Sequence, residues 1–98
     1  MGKGNKAHTA TANRIARRYG VEFNPQDGPD IRCDGFTVEV ETTATLDESI
    51  QRLRQSDGSV YIAVTNKEAV QEALRLTQDS HIGVMDPQGE IVKPCGSD

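Results

Sequence analysis

Asp30, Glu39 and Glu41 are the residues whose types and spacing suit chemistry, because the chain around them reads as a hairpin. In "GPDIRCDGFTVEVETT", residues 28–43, Asp34-Gly35 separates two alternating runs. That dipeptide is a strong signal for a two-residue type I′ turn, which needs positive φ at both positions. With those two residues as the loop, Cys33 faces Phe36, Ile31 faces Val38, and Asp30 lies opposite Glu39. Ile31, Cys33, Phe36, Val38 and Val40 then share one face, and Asp30, Arg32, Thr37, Glu39 and Glu41 the other. Carboxylates about 5 Å apart across a strand pair repel, so water, a proton, a basic neighbour such as Arg32 or a divalent cation must offset them. Mg²⁺ takes oxygen ligands and is often held by one or two carboxylates plus waters and phosphate oxygens. Asp30 and Glu39 fit that description, the Val40 carbonyl adds a ligand, and Glu41 is set to orient or deprotonate a water. The competing reading is a hairpin with one wet face, on which acids need no further explanation.

The elements that must carry this hairpin are legible on both sides of it. Ala12, Ile15, Ala16 and Tyr19 recur at helical spacing, which predicts a helix over Thr9–Tyr19 closed by Gly20. A short strand at Val21–Phe23 and a loop through "NPQDGP" are expected next. Thr45-Leu46-Asp47-Glu48 has the form of a capping box, with Thr45 as N-cap, opening a helix that buries Leu46, Ile50 and Leu53. "SVYIAVT", residues 59–65, is almost continuously apolar and suits a strand buried on both faces. A helix over 67–77, a strand at "HIGVM", a turn at Asp86–Gly89 and a last strand "EIVK" complete the chain. The step from 59–65 through 67–77 to 82–85 favours a right-handed parallel crossover. The expected class is α/β, a mixed central sheet flanked by helices in the order αβββαβαββ. One domain over residues 9–93 is expected, with a flexible basic tail at 1–8 and another tail at 94–98.

Composition narrows the partners. Ninety-eight residues suit a single core, and with no Trp and four other aromatics that core must be aliphatic. No apolar run approaches the ~20 residues that span a bilayer, and no signal-peptide core is present. The expectation is a cytoplasmic protein with no membrane partner. Cys33 and Cys95 stand far apart without C-x-x-C spacing, so neither a disulfide framework nor zinc is expected. His8 and His81 are separate and lie in no metal-ligand spacing. Net charge is −4, but residues 1–20 carry +5 from Lys3, Lys6, Arg14, Arg17 and Arg18, and the remainder −9. A basic arm beside an acidic body is one way to hold a nucleic-acid backbone, and a solvated helix face is the other reading.

"GPDI…VEVET" resembles the core motif of the PD-(D/E)xK nuclease superfamily, in particular its compact Holliday-junction-resolvase and RecB-like branches. Pro29-Asp30 matches the PD, and Glu39-Val40-Glu41 stands where those proteins have E-V-K. A leading helix closed by Gly20, the helix with "IQRL", the strand "VYIAVT" and the closing "IGVMDPQGEIV" extend the likeness over nearly the whole chain. The resemblance implies a restriction-endonuclease-like fold and Mg²⁺- or Mn²⁺-dependent hydrolysis of DNA phosphodiesters. Asp30, Glu39 and Val40 would then bind the metal, and Glu41 would stand in the lysine position. Two departures bear on that: a second glutamate replaces the cationic lysine, and no first-helix glutamate is reproduced, the nearest residues being Asn13 and Arg14. Gln51 matches a helix glutamine of some members. Lys6, Arg14, Arg17, Arg18 and Arg52 would contact nucleic acid, and a chain this small is expected to act as a homodimer. The alternatives are a catalytically inactive nuclease-fold module binding nucleic acid or a protein, and an accessory domain with a solvated acidic face.

Overall fold

The structure, a computed structural model, describes residues 6–24 and 29–96. Lys3, most of the "NPQDGP" loop and the last two residues lie outside them. Helix α1 runs Lys6–Arg18, strand β1 Ile31–Cys33 and β2 Phe36–Glu41. A 3₁₀ turn at Thr43–Thr45 leads into α2, Leu46–Arg54, followed by β3 Val60–Val64, α3 Glu68–Leu76, β4 Gly83–Met85 and β5 Ile91–Lys93. The five strands form one mixed sheet in chain order, antiparallel at its two outer pairs and parallel at β2–β3 and β3–β4.

The α/β class and the mixed sheet are as expected, but the order among the described residues is αββαβαββ. The strand expected at Val21–Phe23 is reduced to one antiparallel bridge, Phe23 with Ile31. Helix α1 begins at Lys6 rather than Thr9, so the expected tail boundary falls inside a helix and His8 becomes part of the domain. No helix among the described residues is long and apolar enough to cross a membrane.

Two apolar layers sandwich the sheet. Ala12, Ile15 and Ala16 of α1 pack on Ile31, Val38, Val40, Ala63 and Met85. On the opposite face, α2 and α3 cover Val60, Ile62 and Val64 with Leu46, Ile50, Leu53, Ala69 and Ala73. Strand β3 is buried on both faces, as its unbroken apolar run requires. Burying one such aliphatic side chain contributes about 1.5–3 kcal/mol, so the shared layers over β3 are what hold three helices to one sheet.

The hairpin has the expected register, Ile31 with Val38, Arg32 with Thr37 and Cys33 with Phe36. Its turn is not type I′, however: Gly35 has φ 96°, whereas Asp34 stays out of the left-handed region. Loop length alone therefore sets the register, and glycine alone takes the conformation that a Cβ disfavours.

Candidate active site

Glu39 and Glu41 pair in register with Ile62 and Val64, which places them on the α2/α3 face of β2. This face is not the wet one that the alternation left open. Asp30 is 3% exposed, Glu39 5% and Glu41 2%, because a helical layer covers strands that an isolated hairpin would leave open. A buried carboxylate is costly unless hydrogen bonds compensate it, so the donors around these three define the site.

Asp30 lies just before β1, where the hairpin ladder has ended. Its Oδ2 accepts a hydrogen bond from the Val40 N–H at 2.8 Å, so the side chain takes up a strand amide that the ladder leaves over. Its backbone carbonyl accepts from the Asn24 N–H at 2.7 Å, tying the residue to the segment bridged at Phe23. Because the N–H and C=O of one residue leave a strand on the same side, the Val40 carbonyl also faces the Asp30 side.

His8 is the residue that sequence reasoning missed. Only 2% exposed, it brings Nε2 to 3.3 Å from Asp30 Oδ2, and its ring meets Phe23 edge-on at 5.7 Å between centroids. With its proton on Nε2, the imidazole donates to the carboxylate. The signal that could have found it was the helix start: extending α1 one turn back puts His8 one turn ahead of Thr11 and Ala12, both on the buried face. Asn13 and Arg14 are the first-helix residues weighed against a glutamate, whereas the α1 side chain that reaches Asp30 is His8. Asn13 and Arg14 are both exposed.

Glu41 is held from another direction. Thr45 donates its hydroxyl to Glu41 Oε1 at 2.6 Å and makes no cap bond to the backbone of α2. The expected capping box does not form: Thr45 has φ −109° and ψ 1°, away from the extended backbone that aims an N-cap oxygen at the first amides of the helix. Beside Glu39 a groove of about 450 Å³ opens between the hairpin and the α2–β3 loop, lined by Pro29, Thr37, Glu39, Leu53 and residues 56–60.

Among the described residues, no group of three or more His, Cys, Asp or Glu side chains closes on a common metal position. The donor chemistry nevertheless fits a hard cation. Asp30, Glu39 and the Val40 carbonyl offer oxygens only, and Mg²⁺ commonly takes one or two protein carboxylates with water completing its shell.

The basic residues divide into two groups. Arg14 Nη1 donates to the Pro87 carbonyl at 2.8 Å, Arg18 Nη1 to that of Gln88 at 3.1 Å, and the Tyr19 hydroxyl to that of Gly89 at 2.7 Å. Three side chains of α1 and its end thus brace successive carbonyls of the β4–β5 turn. Arg18 also lies 3.7 Å from Glu90. Lys6 and Arg17 are exposed, Arg17 beside a 350 Å³ hollow that it lines with Asn13, Glu22 and Phe23. Arg52 reaches Ser49 Oγ at 3.3 Å, and the exposed Gln51 amide lies 3.5 Å from Asp47. The structure therefore brings Asp30 to the Val40 amide and to His8 of α1, sets Glu39 and Glu41 on the α2/α3 face of β2, and leaves Gln51 with its own helix.

Compared with protein-family profiles, characterised proteins and solved structures, the chain matches none of them.

Proposed function

We propose that this protein is a small metal-dependent nuclease of the PD-(D/E)xK type, with a restriction-endonuclease-like fold, hydrolysing phosphodiester bonds in DNA. The observation that carries the reading is the hydrogen bond from the Val40 N–H to Asp30 Oδ2, which ties the aspartate to the residue between Glu39 and Glu41. Three buried carboxylates, one just before β1 and two on β2, support the reading, on a mixed α/β sheet.

In this scheme Asp30, Glu39 and the Val40 carbonyl are the ligands for Mg²⁺ or Mn²⁺, and a bound cation supplies positive charge beside the scissile phosphate. Glu41, in ionised form, accepts a proton from the attacking water. The water oxygen then bonds to phosphorus, the bond from phosphorus to the leaving sugar oxygen breaks, and a solvent proton neutralises that oxygen. His8 keeps Asp30 in a single orientation. Lys6, Arg17 and Arg52 are the phosphate contacts of this scheme, and a homodimer would present two such sites to a duplex.

Mn²⁺ titration into ¹⁵N-labelled protein, with parallel cleavage assays on labelled duplex, flap and junction DNA, tests the reading. Selective broadening of amides 30–42 is expected, abolished by Asp30→Asn, together with cleavage lost in Asp30→Asn and Glu39→Gln. Uniform insensitivity of those amides, with every DNA left intact, would sink it.

A further inference from the structure

We infer that Thr45 is a positioning residue for Glu41, and that this, rather than capping α2, is the role of its hydroxyl. "TLDE" supplies both members of a capping box, and Thr45 does occupy the N-cap position of α2. Yet its backbone, at φ −109° and ψ 1°, lies away from the extended conformation usual for that position, and its side chain bonds no backbone amide. The hydroxyl goes instead to Glu41 Oε1 at 2.6 Å, far closer than Thr42 Oγ1 and the Thr42 carbonyl, both at 3.4 Å.

Local chain geometry delivers this contact. The 3₁₀ turn at Thr43–Thr45, closed by the Thr45 N–H to the Thr42 carbonyl at 3.1 Å, folds residue 45 back over residue 41. A strand end, a single tight turn and a helix start thus hold donor and acceptor in one short segment, with Glu41 2% exposed. A local rule broken without local compensation is expected where a functional group takes the benefit. With Oε1 fixed by Thr45, rotation of the carboxylate about its last bond is fixed too, and that rotation sets how Glu41 meets a water or a phosphate.

What Glu41 does in this inference rests on the nuclease reading, whereas where its oxygen is held does not. The experiment therefore has two arms on the full chain. In the first, DNA cleavage with Mn²⁺ is compared across Thr45→Val, Thr45→Ser and Thr45→Asp. A lost hydrogen bond to a charged group should lower kcat about tenfold or more in Thr45→Val at unchanged KM, with Thr45→Ser retaining activity. Thr45→Asp, a good N-cap but an acceptor facing an acceptor, should keep α2 folded and still lose kcat. Wild-type kcat in Thr45→Val, or kcat recovered by Thr45→Asp, overturns the inference in favour of capping alone. In the second arm, proton NMR looks for a slowly exchanging Thr45 hydroxyl signal that disappears in Glu41→Ala. That signal supports the positioning contact even if wild-type protein cleaves no DNA, an outcome that removes the nuclease reading alone. Its absence from folded wild-type protein overturns the inference.

Discussion

His8 and Asp30 stand 22 residues apart in the chain and share one buried contact, and their energetics belong to that contact rather than to either residue. Removing the imidazole leaves the carboxylate with one donor fewer and opens space beside Phe23. His8→Ala should therefore lower unfolding free energy by about 1–3 kcal/mol, the range for a buried polar group that loses a partner. Urea denaturation followed by circular dichroism measures it, and a change below 0.5 kcal/mol, the order of a neutral surface substitution, would show that Asp30 does not depend on His8. At this scale the sequence was legible for carboxylates and opaque for their donors. Glu39 and Glu41 share the face of β2 that the period reveals, whereas Asp30 lies just before β1 and turns to the Val40 amide and His8. His8 comes from a distant helix, and no pattern within the hairpin points to it. Thr45 was legible as a cap and became a carboxylate donor, because only the folded turn brings Glu41 within its reach.

Strands and helices were the more legible scale, since each carries its own periodicity. β3 announced its double burial by composition, and the hairpin its register by loop length. The pairing of β3 with β4 also explains a glycine. Gly83 lies directly across from Tyr61, and a Cβ there would overlap the tyrosine ring and come within 2.7 Å of the Cys95 backbone nitrogen. Backbone and ring at that position cannot both yield, so Gly83→Ala should destabilise by about 1–3 kcal/mol, the usual cost of overpacking. Thermal melting of the variant checks this, and Tyr61→Leu in the same background should recover part of the loss by removing the ring. Burial of the same neighbourhood pushes the Tyr61 hydroxyl above its ordinary range, while a backbone hydrogen bond from Cys95 pulls the other way. On the opposite layer, Lys93 donates to the carbonyls of Thr77, Ser80 and Ile82, and Arg54 to those of Leu76 and Gln78. Both cations thus serve the C-terminal end of α3, where they also complement the helix dipole.

Across the whole molecule, the +5 of the first twenty residues looked like a single basic arm. Tertiary structure divides it. Arg14 and Arg18 are turned onto the β4–β5 turn, about seventy residues along the chain, whereas Lys6 and Arg17 face outward. Arg14→Met should cost about 1 kcal/mol of stability through its lost carbonyl bond. Arg17→Met should leave stability within about 0.5 kcal/mol and, on the proposed function, reduce the salt dependence of DNA binding by about one phosphate contact. Denaturation curves and binding titrations at several salt concentrations separate the two, and equal effects of both substitutions on binding would contradict the division.

By itself the sequence determined the α/β class, the hairpin register, the buried central strand and the common face of Glu39 and Glu41. Each follows from period, turn length or composition within a dozen residues, where local sterics and side-chain alternation act. Only the tertiary structure decided that this face is covered by helices rather than wetted. It alone brought His8 to Asp30, sent Thr45 to Glu41 rather than to its helix, and committed Arg14 and Arg18 to a turn. Those outcomes depend on which elements pack together and on which buried polar group finds the stronger partner, and both are properties of the assembled layers.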